Sequence, residues 1–224
     1  MIEDNIFKKA RLDVNKIQNS GFKDLKDGFE IEKDLMDGVF KSIIKIDKKG
    51  LVRGKIYDTQ NGEEYLLFRM KHQTGGYSSK VRDEYEDILR YILKKYFIEN
   101  YFISPQANRI TELIHKEYGV APDFPWKGQK NASDAGVFRK TPDGKWFGLI
   151  MNVKKDKVIK KAEGTFDIIN LKLGETEIQQ LIQQKGFYPA YHMNKQYWIT
   201  ILLDDTLEDK IIMKYIKKSY ENVK

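Results

Sequence analysis

Between Val39 and Met70 apolar and polar residues alternate in short runs separated by turn formers. Val39 to Ile46 runs into the turn Asp47-Lys48-Lys49-Gly50, Leu51 to Tyr57 runs into Asn61-Gly62, a pair favoured in tight hairpins, and Glu64 to Met70 follows. A period of two with such turns predicts an antiparallel β-meander. The period then changes. Val81, Tyr85, Ile88, Leu89, Ile92, Leu93 and Tyr96 recur at steps of three and four, which puts them on one face of a helix able to cover the meander. Gly75-Gly76-Tyr77-Ser78-Ser79 reads as the joining loop, with the helix beginning near Ser78 or Ser79.

A second set of elements starts after Asn100. Ser104-Pro105 is a cap followed by the proline favoured at a first helical position; Ala107, Ile110, Leu113 and Ile114 make a stripe, and Gly119 closes the helix. Two prolines make Ala121 to Trp126 an extended crossing. Val137 to Arg139, the turn Thr141-Pro142-Asp143-Gly144 and Trp146 to Val153 form a hairpin, Phe166 to Leu171 a third strand, and Lys154 to Gly164 the lysine-rich tip between the second and third. A helix from about Glu175 to Lys185 stops at Gly186, and Tyr197 to Leu203 is a fourth strand. In the last helix Thr206 is the cap and Asp209, three residues on, completes a capping box. The predicted class is α+β with two packed modules: residues 1–100, an antiparallel meander with a helix, and residues 101–224, an α-β-β-β-α-β-α domain. The linker Glu99-Asn100-Tyr101-Phe102-Ile103 is short and aromatic, so tight packing of the modules is expected.

Composition narrows the function. With 41% hydrophobic and 33% charged residues the 224-residue chain reads as globular rather than disordered. It has no cysteine, which removes disulfides, thiolate nucleophiles and Cys-based metal sites. His72, His115 and His192 are too far apart in sequence for a metal motif, so no metal and no cofactor is expected. The start Met1-Ile2-Glu3-Asp4-Asn5 lacks a signal-like apolar stretch and no run approaches the roughly 18 apolar residues of a membrane span, so a cytoplasmic protein without membrane contact is expected. Asn131-Ala132-Ser133 matches a glycosylation sequon, a chance match in that setting. Net charge is +7, and the excess lies mostly in the second half: residues 1–100 hold 20 basic and 18 acidic side chains, the remainder 20 and 15. That balance suits nucleic acid or another polyanion, and equally a lysine-rich surface kept for solubility.

Lys145-Trp146-Phe147, Ile169-Asn170-Leu171-Lys172, Tyr191-His192-Met193-Asn194-Lys195 and Trp198 stand in order between about residues 104 and 221, and with them the chain resembles the MmcQ/YjbR family. The His-Met-Asn-Lys run is the most specific element. The first hundred residues, with Gly54-Lys55-Ile56-Tyr57, Glu64-Tyr65 and Lys80-Val81-Arg82, resemble the extra N-terminal domain of longer members. The resemblance implies a double-wing, frataxin-like fold and a DNA-binding role, in a family to which no catalytic activity is firmly attached.

Strand alternation singles out a surface independently. If helices cover the aliphatic face holding Phe147, Leu149, Ile169, Leu171, Ile199 and Ile201, then Trp146, Asn170, Lys172, Trp198 and Thr200 share the other. Aromatic, amide and basic groups together suit stacking of bases, or of a small planar or anionic ligand, with lysine for phosphate or carboxylate. Alternatively the tryptophans complete a core beneath the first module or the Pro122 to Trp126 loop. His192 is a candidate acid or base, or a structural histidine. Asn194 and Lys195 either bind an anion or shape the turn into the last strand. Lys154, Lys155 and Lys157, with Lys160 and Lys161, sit where a phosphate-contacting wing belongs, or form a solvated loop. No nucleophile elbow, P-loop or dinucleotide fingerprint is present, and Glu112 and Glu117 share their helix with Arg109 and Lys116, unlike an acidic iron-binding helix. A non-enzymatic binding module is expected, acting on nucleic acid or, alternatively, on a planar ligand or a protein through the Trp146/Trp198 face.

Overall fold

The computed structural model describes residues 1–18, 20–70, 76–129 and 134–223; His72, Gly75 and the sequon at Asn131 lie outside the described residues. The chain divides into two compact units, Met1–Asn100 and Tyr101–Lys224, and is α+β.

In the first unit α1 (Ile2–Ile6), β1 (Ala10–Leu12) and α2 (Val14–Ile17) precede β2 (Lys23–Leu25), β3 (Gly28–Leu35), β4 (Phe40–Asp47) and β5 (Val52–Asp58), then α3 (Gly76–Tyr96) and β6 (Phe97–Glu99). The sheet is antiparallel with order β2-β3-β4-β5, and β1 pairs with β6. Val81, Tyr85, Leu89 and Ile92 of α3 pack with Ile44, Ile46, Val52 and Ile56 of the sheet, as their helical and strand periods require. The expected strand at Glu64 to Met70 is corrected: among the described residues a single bridge, Tyr57 to Glu64, forms there, and Leu67–Arg69 is a 3-10 turn. That turn carries Phe68 to full burial, 5.3 Å from the Tyr85 ring. Residues 76–79 belong to α3 rather than to a loop.

Coiling at 67–69 also delivers Arg69 to Glu3, which is 1% exposed. The Glu3 carboxylate accepts from the Tyr85 hydroxyl at 2.6 Å, from both terminal nitrogens of Arg69 at 2.9 and 3.1 Å, and from the Gly54 N–H at 3.2 Å. Arg69 donates in turn to the Gly54 carbonyl at 2.5 Å. Gly54 lies on β5, an edge strand, so this ion pair satisfies both backbone groups that a further strand would use. A Cβ at Gly54 would stand 1.9 Å from the Tyr85 hydroxyl, so glycine is required by space alone. Burial raises the Glu3 pKa, but the bonds from Arg69 and Tyr85 outweigh it and hold the carboxyl below its ordinary 4.5. Burial, and then the bond to Glu3, push the Tyr85 phenol up, so it stays a donor.

The second unit contains α4 (Pro105–Tyr118), β7 (Gly136–Arg139), β8 (Trp146–Lys154), β9 (Thr165–Lys172), α5 (Glu175–Leu181), β10 (Phe187–Pro189), β11 (Trp198–Leu202) and α6 (Asp209–Asn222). Its antiparallel sheet has order β10-β11-β9-β8-β7, the expected succession with one short extra strand, β10. Phe138, Phe147, Ile150, Ile169, Leu171, Ile199 and Ile201 pack under Ile110 and Ile114 of α4 and Ile212 and Ile216 of α6. Ser104 caps α4 by accepting from the Ala107 N–H at 3.0 Å, and Gly119 ends it with φ 68°. The capping box expected at Thr206 and Asp209 does not form. The N-cap is Glu208, because the Asp209 carboxylate is held by Arg109 at 2.7 Å and by Gln106 at 2.9 Å. Among the described residues no helix is long and apolar enough to cross a membrane.

Candidate nucleic-acid interface

One irregularity decides which side chains share the outer, helix-free face of the second sheet. Phe138 pairs with Gly148 but Arg139 pairs with Trp146, so Phe147 is an inserted bulge residue. Phe147 turns inward to the helix-covered core, and Trp146 comes into phase with Leu149 and Met151 on the outer face. Trp146 thus lies on the outer face, as expected, but Leu149, expected under the helices, joins it there, and Ile150 faces the helices instead. The fully buried Ser219 of α6 mends the ladder there. Its hydroxyl donates to the Phe147 carbonyl at 2.5 Å and accepts the Lys172 N–H at 2.7 Å.

Strand register then orders the outer face. Leu149, Asn170 and Thr200 form one row across β8, β9 and β11, and one step further Lys172 faces Trp198, with Trp146 at the corresponding end of β8. These two rows differ in access. Asn170 and Thr200 are both 0% exposed. The Thr200 hydroxyl donates to Asn170 Oδ1 at 2.5 Å and accepts the Tyr191 N–H at 2.9 Å, while Asn170 Nδ2 donates to the Tyr191 carbonyl at 2.9 Å. The pair therefore staples residues 190–197 over the sheet, and the open platform expected around Asn170 is closed by this segment. Trp146, Lys172 and Trp198 remain partly exposed at its rim.

Within the segment each residue has a distinct placement. His192 adopts a left-handed φ of 58° and is exposed, its ring 4.1 Å from that of Tyr191. Met193 packs with Leu149, Trp126 and Trp146. The Asn194 carbonyl accepts the Tyr197 and Trp198 N–H groups at 3.1 and 2.9 Å, and its Oδ1 accepts the Gln196 N–H at 2.9 Å, so Asn194 shapes the turn into β11. Lys195 is exposed.

Trp126 lies 5.6 Å from Trp146, edge to face, and so covers it from the extended crossing. Arg139 sits 5.5 Å over the same ring while pairing with Asp123 at 3.1 Å. Neither Met193 nor Arg139 stands out in the sequence as a neighbour of Trp146. The signal that would have found Arg139 is its place in the hairpin opposite Lys145-Trp146.

The lysine-rich tip is not a free loop along its whole length. A short 3-10 turn spans Lys155–Lys157, and Val158 and Ile159 fold onto Phe166, Ile168 and Leu202 of the outer face. The Lys155 ammonium lies 5.9 Å from the Phe166 ring. Lys154 and Lys157 point to solvent. Among the described residues no carboxylate pairs with Lys154, Lys155, Lys157, Lys160, Lys161, Lys172 or Lys195. The structure thus gathers Trp146, Lys172 and Trp198 at one rim with His192 to Lys195 in the covering segment, and places Lys154, Lys155 and Lys157 on the other covering segment, the tip.

A family model described as YjbR matches residues 115–222. The uncharacterized protein YyaQ of Bacillus subtilis is 35% identical over 111 residues, which cover 50% of this chain and 92% of that protein. A crystal structure of a Pseudomonas syringae protein, 33% identical, superposes with a TM-score of 0.48 over 52% of this chain and 97% of that one. A Deinococcus radiodurans protein with a DUF419 domain, 20% identical, gives 0.36 over 49% and 72%. YyaQ, 35% identical and matched over 92% of its length, carries the assignment: the chain belongs to the YjbR family and has an additional N-terminal region.

Proposed function

We propose that the second unit binds nucleic acid without catalysing a reaction, its lysines taking phosphates and Trp198 at the rim stacking unpaired bases. The observation that carries this reading is the set of seven lysines without carboxylate partners among the described residues, on the two segments that fold over the outer face and on the rim between them. Cations without internal partners are available to phosphates, and each contact releases a counterion, giving affinity that falls with salt and ignores sequence. Trp198, opposite Lys172 in the register of β9 and β11, provides a π-face beside a charge, the arrangement that holds single strands, while Trp146, covered by Trp126 and Arg139, supports that rim from β8. The tip acts in this reading as a wing along the backbone, and the cytoplasmic setting expected from the sequence belongs to the same proposal. The bonds of Asn170 and Thr200 to residues 190–197 favour this rim over a small-ligand recess built on those two side chains.

Fluorescence anisotropy of the full chain with mixed-sequence single-stranded and duplex DNA, at low and then moderate salt, tests the proposal. Binding that weakens with salt and is indifferent to sequence supports it. No binding of either form at low salt ends it.

A further inference from the structure

The first unit has a cavity of its own, of about 660 Å³, on the outer face of its sheet. In the register of β4 and β5, Lys45 stands directly opposite Arg53, and Ile43 opposite Lys55. Like charges facing each other across strands oppose pairing, and each of the two is held by a carboxylate at the surface. Glu30 lies 3.0 Å from Lys45, Asp4 2.8 Å from Arg53 and Glu64 2.9 Å from Lys55. The cationic side chains are exposed, at 63%, 41% and 60%, so their ends can turn from these partners to a bound group. Ile43 and Tyr57 supply an apolar strip in the same cavity, and Glu30 and Glu64 supply acceptors at it.

We infer that this cavity binds a mononucleotide. The phosphate lies among Lys45, Arg53 and Lys55, which line the same cavity; the flat base lies along Tyr57 and Ile43; and ribose hydroxyls or an exocyclic amine donate to Glu30 and Glu64. The volume is in the range of small-ligand sites. This inference stands apart from the lysine tip of the second unit and does not depend on it.

Isothermal titration calorimetry of the full chain with AMP, GMP, CMP and UMP, and separately with inorganic phosphate and with adenosine, tests it. At least one nucleotide is expected to bind saturably and at least tenfold tighter than either phosphate or adenosine alone. Lys45→Ala with Arg53→Ala should weaken that binding at least tenfold with an unchanged melting temperature. Lys41→Ala, on the same sheet face but outside the cavity, should leave it unchanged, as should replacement of Lys154, Lys155 and Lys157. Should the double variant melt early, Lys45→Glu alone must produce the same loss. Failure of every nucleotide to bind, equal affinity for phosphate alone, or binding indifferent to Lys45 and Arg53 would overturn the inference.

Discussion

On the outer face of the first sheet Lys41, Lys45 and Lys55 each hold a glutamate, at 3.2, 3.0 and 2.9 Å, and the buried Glu3 holds Arg69. Over the outer face of the second sheet Lys154, Lys157, Lys160 and Lys161 project with no carboxylate partner among the described residues. The two units carry equal numbers of basic side chains, 20 in each, against 18 acidic ones in the first and 15 in the second, so the units differ in acid content and these two faces differ in how their cations are paired. A cation paired at the surface is screened by its own carboxylate from a distant polyanion. An unpaired one is available to it, which is why the second unit rather than the first is the proposed partner of nucleic acid.

The largest effect should come from breaking the pairing where it is structural. Glu3→Gln is expected to cost about 3 kcal/mol, the lower end for a broken buried ion pair because Arg69 stays partly exposed, read as a lowered urea midpoint. The sign with pH follows from the lowered native pKa. The charged carboxylate stabilises fully above its unfolded value, and this contribution is lost as pH falls below about 4.5 through the native value. Melts of wild type and Glu3→Gln should therefore converge on the acid side, and a gap that persists unchanged to low pH would show that Glu3 acts through packing alone.

An intermediate effect is expected in the second unit's closed row. Asn170→Ala leaves the Thr200 hydroxyl proton without an acceptor and the Tyr191 carbonyl without a donor and should destabilise by about 1–3 kcal/mol. If Asn170 instead met a ligand directly, DNA affinity would fall while the denaturation midpoint held. Trp198→Ala sharpens the comparison from the open row: it should weaken single-strand binding by about 1–3 kcal/mol and duplex binding by less. A fall in melting temperature without a change in single-strand affinity would assign Trp198 to the core.

How far these features were legible in the sequence depends on whether period alone specified them. The stripe on α3 and the Ser104-Pro105 start and Gly119 stop of α4 are local patterns, and the helices stand there. The Phe147 bulge is not local: Ser219, 72 residues away, bridges Phe147 and Lys172 there, and the bulge sends Leu149 to the outer face beside Trp146. β3 was hidden because Glu30, Glu32 and Asp34 interrupt its apolar positions, charges the structure carries on the outer face, the first two beside Lys45 and Lys41. Glu3 reads as a solvated acid near the start of a chain, and only the fold brings Tyr85, Arg69 and Gly54 around it. Asn170 had the chemistry of a binding residue. Its partner on the neighbouring strand, Thr200, and the return of Tyr191 over both make it a staple.

The smallest effect on stability, and the most direct test of the central claim, belongs to the tip. Lys154, Lys155 and Lys157 replaced together by alanine should leave the melting temperature nearly unchanged, since none has an ion pair to lose among the described residues. Salt titrations of duplex DNA binding by anisotropy should then give a log K against log salt line shallower by about 2–3 than wild type, close to 0.9 for each phosphate contact removed, with the same loss on every sequence. An unchanged affinity and an unchanged slope would contradict the assignment of the unpaired lysines to phosphate.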